Sequence, residues 1–309
     1  MNEKKGMEFS FTWLFVLLVG SAILFIAIFA ATRILDLGTE EYQTKLAAEL
    51  GTILSPLETS LESGKYYTIK MPDETRLFNN CEEAGPFGKQ EISLSVKSGL
   101  GKEWQRSGVP YSSSNKYVFS DEIVQGKNLD VFVKPFNFPY KIGDLIIIYN
   151  KKYCFVSPPE DVEDEILSFG LRNVNISKNK NNCPIDSTSV CFKSTGCDIN
   201  VFIDDDKSGS IKKNKKTLYY YDSLLYAGIF SEPELYECQL TRLRKRASQL
   251  ALLYAEKTQF SSERCGSGFA DELELFANRL GNENIRFTDV AFEAEEIGEK
   301  NERLSCPLF

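Results

Sequence analysis

The chain has 309 residues, 42% of them hydrophobic, a net charge of −8 and a pI near 5.0. That is enough apolar content for a sizeable core. The acidic balance excludes nucleic acid as a natural partner, because a phosphate backbone is met by a basic field. Histidine is absent, which removes the commonest general base and transition-metal ligand and rules out any histidine-based triad.

Residues 1–8 form a short tail. Phe9–Ala31, FSFTWLFVLLVGSAILFIAIFAA, then runs for 23 residues without a charge. As a helix it is about 34 Å long, enough to cross a hydrocarbon core of about 30 Å with some tilt. The hydroxyls of Ser10, Thr12 and Ser21 can bond back to the helix. A cleaved secretory signal has an apolar core of only about 7–15 residues, so 9–31 reads as a retained transmembrane helix. Lys4 and Lys5 favour a cytoplasmic N-terminus. All eight cysteines, Cys81, Cys154, Cys183, Cys191, Cys197, Cys238, Cys265 and Cys306, follow the span. An even number on one side of a membrane points to disulfides in an oxidising space. Residues 34–309 are therefore expected outside the cytoplasm of a single-pass cell-membrane protein, with the lipid bilayer as its first partner.

The opening residues, KKGMEFSFTWLF, resemble the N-terminus of type IV pilin-like proteins. In those, basic residues and a glycine at the processing site precede a long apolar helix. Lys4, Lys5 and Gly6 match the pattern. The family's acidic residue at the fifth mature position is Phe11 here, and Glu8 stands at the second. The chain also looks like uncharacterised single-pass membrane proteins of archaea that share this beginning. The resemblance implies a surface location and a helix that both anchors and assembles. It names no activity.

Residues 32–64 read as an amphipathic helix. Tyr42, Leu46, Leu50, Ile53, Leu57 and Leu61 recur every three or four positions and predict one apolar face. Gly38 permits a break after the span, Pro56 predicts a kink and Gly64 fits a C-cap. The protein's own sheet is the expected cover, with a neighbouring subunit as the alternative.

Residues 65–230 read as a β-rich extracytoplasmic domain. YYTIK, TRLF, EISLSV, KYVFS, LDVFV, DLIIIY and YCFV have strand character and predict a mostly antiparallel sheet. KPFNFPY, with two prolines, reads as an edge or a loop. Asn150 to Lys152 suggests a hairpin between two strong runs. A short acidic helix is expected from about Glu160 to Phe169. Asn175-Ile176-Ser177 is a glycosylation acceptor pattern. Cys183, Cys191 and Cys197 lack the close pairing of a zinc site and read as structural disulfides of undetermined pairing.

The segment DDDKSGSIKK places Asp204, Asp206, Ser208, Gly209 and Ser210 on positions one, three, five, six and seven of a calcium loop. Position twelve, which should supply a bidentate Glu, is Lys215. Lys212, Lys213 and Lys216 add positive charge. INVFI and TLYYY flank the segment as strands. The expectation is a hairpin loop, with no tight calcium site at Asp204, Asp206, Ser208 and Ser210.

Residues 231–309 read as helical. Ser231 and Glu234 predict a capping box opening a helix to about Lys257. Tyr236, Leu240, Leu243, Ala247, Leu250 and Tyr254 alternate by four and three, a heptad seam open to an internal core or a dimer surface. Leu273, Phe276, Ala277 and Leu280 mark a second helix, and Val290, Ala294, Ile297 and Leu304 a third. Short connections predict an up-down-up three-helix bundle. That arrangement brings Cys265 and Cys306 to one end as a disulfide, and leaves Cys238 to the sheet domain or unpaired.

No catalytic constellation is legible. Ser113 and Lys116 have a Ser-x-x-Lys spacing without a supporting motif. Asp161 and Glu163 read as a solvated helix face. The expected fold class is α+β: a transmembrane helix continuing into an amphipathic helix, a mostly antiparallel sheet domain and a C-terminal three-helix bundle. The expected function is a membrane-anchored structural or adhesive surface protein without a cofactor, self-associating or bound to a membrane protein. The alternatives are a binding or sensing subunit of a membrane complex and, behind it, an extracytoplasmic hydrolase with paired carboxylates.

Overall fold

One helix, α1 (Phe11–Ser60), carries the whole N-terminal half of these expectations. Its segment Thr12–Ala30 is long and apolar enough to cross a membrane, and none of that segment is buried in the protein. The helix runs on through Gly38 without a break and continues past Pro56. The structure, a computed structural model, describes residues 11–60, 66–98, 103–265 and 269–309, apart from the side chains of 11, 31–40, 53, 55–60, 98 and 259–265. Ile53, Leu57, Leu61 and the Gly64 cap fall outside what is described.

From residue 43 the helix becomes one-sided. Gln43, Ala47, Leu50, Gly51 and Leu54 are buried, whereas Tyr42 is 46% exposed. The buried stripe is thus rotated by one residue from the expected line. The cause is close approach. A Cβ on Gly51 would lie 2.5 Å from the Tyr111 ring, so the helix seats its small residues on the sheet and turns Tyr42 outward.

The sheet beneath it has strands β1 (Tyr66–Glu82), β2 (Lys89–Ser98), β3 (Glu103–Trp104), β4 (Tyr111–Ser113), β5 (Tyr117–Phe119), β6 (Ile123–Asn137) and β7 (Lys141–Tyr149). Their order is β3-β2-β1-β6-β7-β5, with β4 on β2. Along β7, Ile146 and Ile148 face the α1 core while Leu145, Ile147 and Tyr149 join the core on the opposite face. Burial on both faces explains why the sequence there is continuously apolar rather than alternating. Of the two prolines in KPFNFPY, Pro139 lies in the turn between β6 and β7, and Pro135 lies in β6 beyond Phe132, the last residue that β6 pairs with β1, where the strand has a locally open edge.

Asn150–Lys152 is not a hairpin. Each flanking run is interior to its own sheet, so the chain crosses there from the first sheet to a second. That sheet holds β8 (Lys152–Val156), β9 (Val174–Ser177), β10 (Ser187–Phe192), β11 (Ile199–Ile203), β12 (Ser208–Lys213) and β13 (Lys216–Tyr221), in the order β13-β12-β11-β10-β8-β9. Pairs β8–β9, β8–β10 and β10–β11 are parallel, as is β5–β7 in the first sheet. The first sheet is thus mostly antiparallel, as expected, with β5–β7 its parallel pair, whereas the second sheet is mixed, three of its five pairs being parallel. The expected acidic helix is α2 (Glu160–Phe169), which links parallel β8 and β9. Cys154–Cys183 and Cys191–Cys197 are disulfides with Cα separations of 5.7 and 5.6 Å.

The C-terminal part starts with a helix absent from the sequence reading, α3 (Leu224–Phe230), every residue of which is buried. Ser231 closes α3 instead of opening the next helix: its hydroxyl donates to the Ala227 carbonyl at 2.6 Å. Then come α4 (Pro233–Cys265), α5 (Phe269–Leu280), a 3-10 turn over Phe287–Val290 and α6 (Ala291–Arg303). These helices do not close on one another alone. Leu243, Ala247 and Phe276 share one core with Phe136, Tyr140 and Ile147 of the first sheet. Phe138 stacks on Phe276 at 6.1 Å and meets Phe287 edge-on at 4.9 Å. Cys238 of α4 is bonded to Cys81 of β1, Cα to Cα 6.2 Å. The expected Cys265–Cys306 pair involves a side chain, Cys265, outside those described.

The rotated stripe has a direct consequence. Leu54 is fully buried and Tyr42 is not. Leu54→Ala is expected to destabilise the head by about 2–5 kcal/mol, and Tyr42→Ala by less than about 0.5. Urea denaturation of both variants checks this, and a larger loss for Tyr42→Ala would put the stripe back on the sequence-predicted line.

Candidate functional site

A cleft of about 530 Å³ opens between β6, α2, the β11–β12 turn and the start of α3. The local sequence of α2 explains its wall. Val162, Ile166 and Phe169 recur at helical spacing and point inward, which leaves Asp161 and Glu165, one turn apart, lining the cleft. Gly170 ends the helix in the left-handed conformation at φ 61°, where a side chain would be strained.

Glu165 is the best-anchored group in the cleft. It forms an ion pair with Lys134 of β6 and accepts a hydrogen bond from the Tyr226 hydroxyl at 2.5 Å. The Lys134 ammonium also lies 4.7 Å from the Tyr226 ring and 5.7 Å from the Phe169 ring, so two aromatic faces and one carboxylate hold it. Burial, and then the Glu165 charge, pushes the Tyr226 phenol well above its ordinary pKa. Burial, then Asp204 and Asp205, does the same for Tyr220. Both phenols are therefore fixed as donors at neutral pH.

The opposite wall is the turn between β11 and β12. Asp205 accepts from the Ser208 hydroxyl at 2.7 Å and from the backbone N–H groups of Lys207 and Ser208 at 2.9 and 2.6 Å. These bonds, the Ser208 hydroxyl first, hold its carboxyl below the usual range. This is the segment weighed as a calcium loop. Asp204 and Asp206 are exposed, Ser208 is committed to Asp205, and Ser210 pairs within the sheet with Phe202 and Tyr219. The turn is organised by Asp205, the acidic residue that the spacing argument passed over. Among the described residues no three His, Cys, Asp or Glu side chains converge to hold a metal.

Of the carboxylates lining the cleft, Glu165 and Asp205 are thus committed. Among the described residues, Asp161, Asp206 and Asp222 have no side-chain hydrogen-bond or ion-pair partner. Lys207 leaves the cleft for Glu295 at 2.7 Å. Lys193 and Asp222 both line the cleft in the left-handed backbone region, at φ 61° and 51°. The arrangement can receive a cation against free carboxylates, with tyrosine faces beside them.

The other sequence candidates lie elsewhere. Asn175 is exposed on the edge strand β9. Ser113 donates to Asn115 at 2.7 Å, and Lys116 is buried. Their carbonyls, with those of Ser114 and Phe87, accept from the fully buried Arg242 guanidinium over 2.9–3.4 Å. Burial pulls the Arg242 pKa down to about 10. The Ser-x-x-Lys spacing thus serves a structural clamp. Comparison with protein-family models, with curated proteins and with solved structures returns no match to this chain.

Two predictions follow from these environments. Glu165→Gln removes the counter-charge of half-buried Lys134 and is expected to cost about 1–2 kcal/mol of stability, while Asp161→Asn stays within about 0.5. Thermal unfolding of the two variants distinguishes the committed carboxylate from the free one.

The second concerns Lys213, whose buried ammonium donates to the carbonyls of Ile229 and Ser231 at 2.9 and 2.7 Å. Burial lowers its pKa to about 8, below the value of about 10.4 in an unfolded chain. Between those values the unfolded chain binds the extra proton. Stability is therefore lost as pH falls from about 10.4 to about 8, and the loss is constant below that window. The stability of the wild type minus that of Lys213→Met should decline across this window and be level from about pH 5 to 7. A difference independent of pH throughout would mean that Lys213 titrates as an exposed lysine.

Proposed function

We propose that this protein is a membrane-anchored structural or adhesive surface protein with a pilin-like layout. Its N-terminus is cytoplasmic and residues 34–309 lie outside. The observation that carries the reading is the continuity of α1: exposed and apolar over Thr12–Ala30, then packed as part of the head's core from Gln43 to Leu54. A flexible tether would suffice to keep a soluble enzyme near a membrane. A single helix shared by bilayer and core instead fixes the head's orientation and transmits load, which is what a structural subunit needs. The disulfides fit an oxidising compartment. Under this topology Asn175 is accessible to surface glycosylation. The partners are the bilayer and a second copy or another membrane protein.

A second reading, a binding or sensing subunit of a membrane complex, is favoured by the cleft and its free carboxylates Asp161, Asp206 and Asp222. Two measurements separate the possibilities. Protease added to intact cells is expected to degrade the 34–309 portion; its full protection would overturn the topology. Shearing the cells is expected to release the protein in an assembly of many copies. Its recovery in a discrete membrane complex with other subunits would favour the sensing reading.

A further inference from the structure

On the other side of Tyr220 from that cleft, β13, α4 and the loop before the Phe287–Val290 turn line an open pocket of about 190 Å³. Leu218, Leu224, Tyr236, Leu240, Ile285 and Phe287 give it apolar walls. Two cations also line it. Arg286 lies over the Tyr219 ring at 3.8 Å, and its guanidinium makes no ion pair with a described carboxylate. Arg244 is half-buried and is oriented by Nη1, which donates to the carbonyls of Glu283 and Ile285 at 2.9 and 2.6 Å. Burial lowers the Arg244 pKa, against the opposing pull of the Glu283 and Glu83 charges. The carboxylate among the lining residues, Glu237, is exposed and lies 4.0 Å from the Lys216 ammonium.

From this combination we infer that the cavity binds a small aryl carboxylate. A dry cavity of about 150 Å³ accepts a benzene ring. The 190 Å³ here leaves room for one ring and a short acidic arm, and little more. The apolar walls take the ring. The planar guanidinium groups offer paired N–H donors that match a carboxylate and not an amine. The hydroxyls of Thr241 and Thr288 stand in the same lining and can complete the arm's hydrogen bonds. A cationic ligand is excluded by the two arginines. A bare anion without a ring would leave the apolar wall unfilled.

The test uses the full chain in lipid nanodiscs and three probes of one shape: phenylacetate, its neutral amide phenylacetamide and the cation phenethylamine. Calorimetric titration should show saturable binding of phenylacetate, at least about tenfold tighter than the amide, and none of the amine. Arg286→Ala changes an exposed residue and should fold normally while weakening phenylacetate about tenfold. Leu240→Trp should fill the cavity and abolish binding; ligand-induced shifts of labelled Phe287 in the wild type locate the site independently of that variant. No saturable binding at millimolar phenylacetate, equal affinity for the amide, or indifference to Arg286→Ala would each overturn the proposal.

Discussion

The architecture depends on residues 43–54 of α1 being buried against the first sheet. Ala47, Leu50 and Leu54 pack there on Leu77, Leu94, Val131, Val133, Ile146 and Ile148. Because the same helix is apolar on every side over Thr12–Ala30, one continuous rod suits the two different solvents that the proposed anchoring requires. In hydrocarbon its backbone must be satisfied internally, which a helix does; in the head it needs only one dry face. The packing has a cost. The Gln43 side-chain oxygen is buried without a hydrogen-bond partner among the described residues, a penalty of about 1–3 kcal/mol that the surrounding burial offsets.

Covering one face of the first sheet leaves the other to be covered, and α4 is part of that cover. Gln239 donates to the Val118 carbonyl at 3.1 Å, Arg242 gathers carbonyls from the 113–116 loop, and Cys238 is bonded to Cys81. This bridge spans 157 residues of sequence, worth about 5 kcal/mol in the chain-entropy account of disulfides. The contacts make one core of the sheets and the C-terminal helices. The polar groups on α4 that look like surface residues in sequence are its tightest anchors to the sheet. Under the proposed anchoring, a force entering along α1 would pass to the sheet and onward to the second half of the head.

Much of this was legible because hydrophobic periodicity is local. The uncharged span, the strand runs, α2 and the Leu273–Leu280 face of α5 are all set by residues a few positions apart. What escaped was set by distant partners. The stripe on α1 rotated because Gly51 meets Tyr111, sixty residues on. YCFV left its neighbour DLIIIY because two-sided burial made each interior to a different sheet. LLYAGIF gave no periodic signal because all of α3 is buried. The cleft gathers Lys134, Glu165, Asp205 and the Asp222–Tyr226 turn from four separate segments, and no spacing rule links the four. Positions in a twelve-residue calcium window do not register the hairpin, which turns Ser208 toward Asp205.

The central claim is mechanical: anchor and head share one unbroken helix. Hydrogen exchange of the full chain in nanodiscs, read amide by amide across residues 32–45, tests it directly. The account predicts protection there as strong as in the packed segment 47–54, because no hinge interrupts the hydrogen-bond ladder at Gly38. Rapid exchange confined to the residues around Gly38 would contradict it, and would make the span a flexible tether.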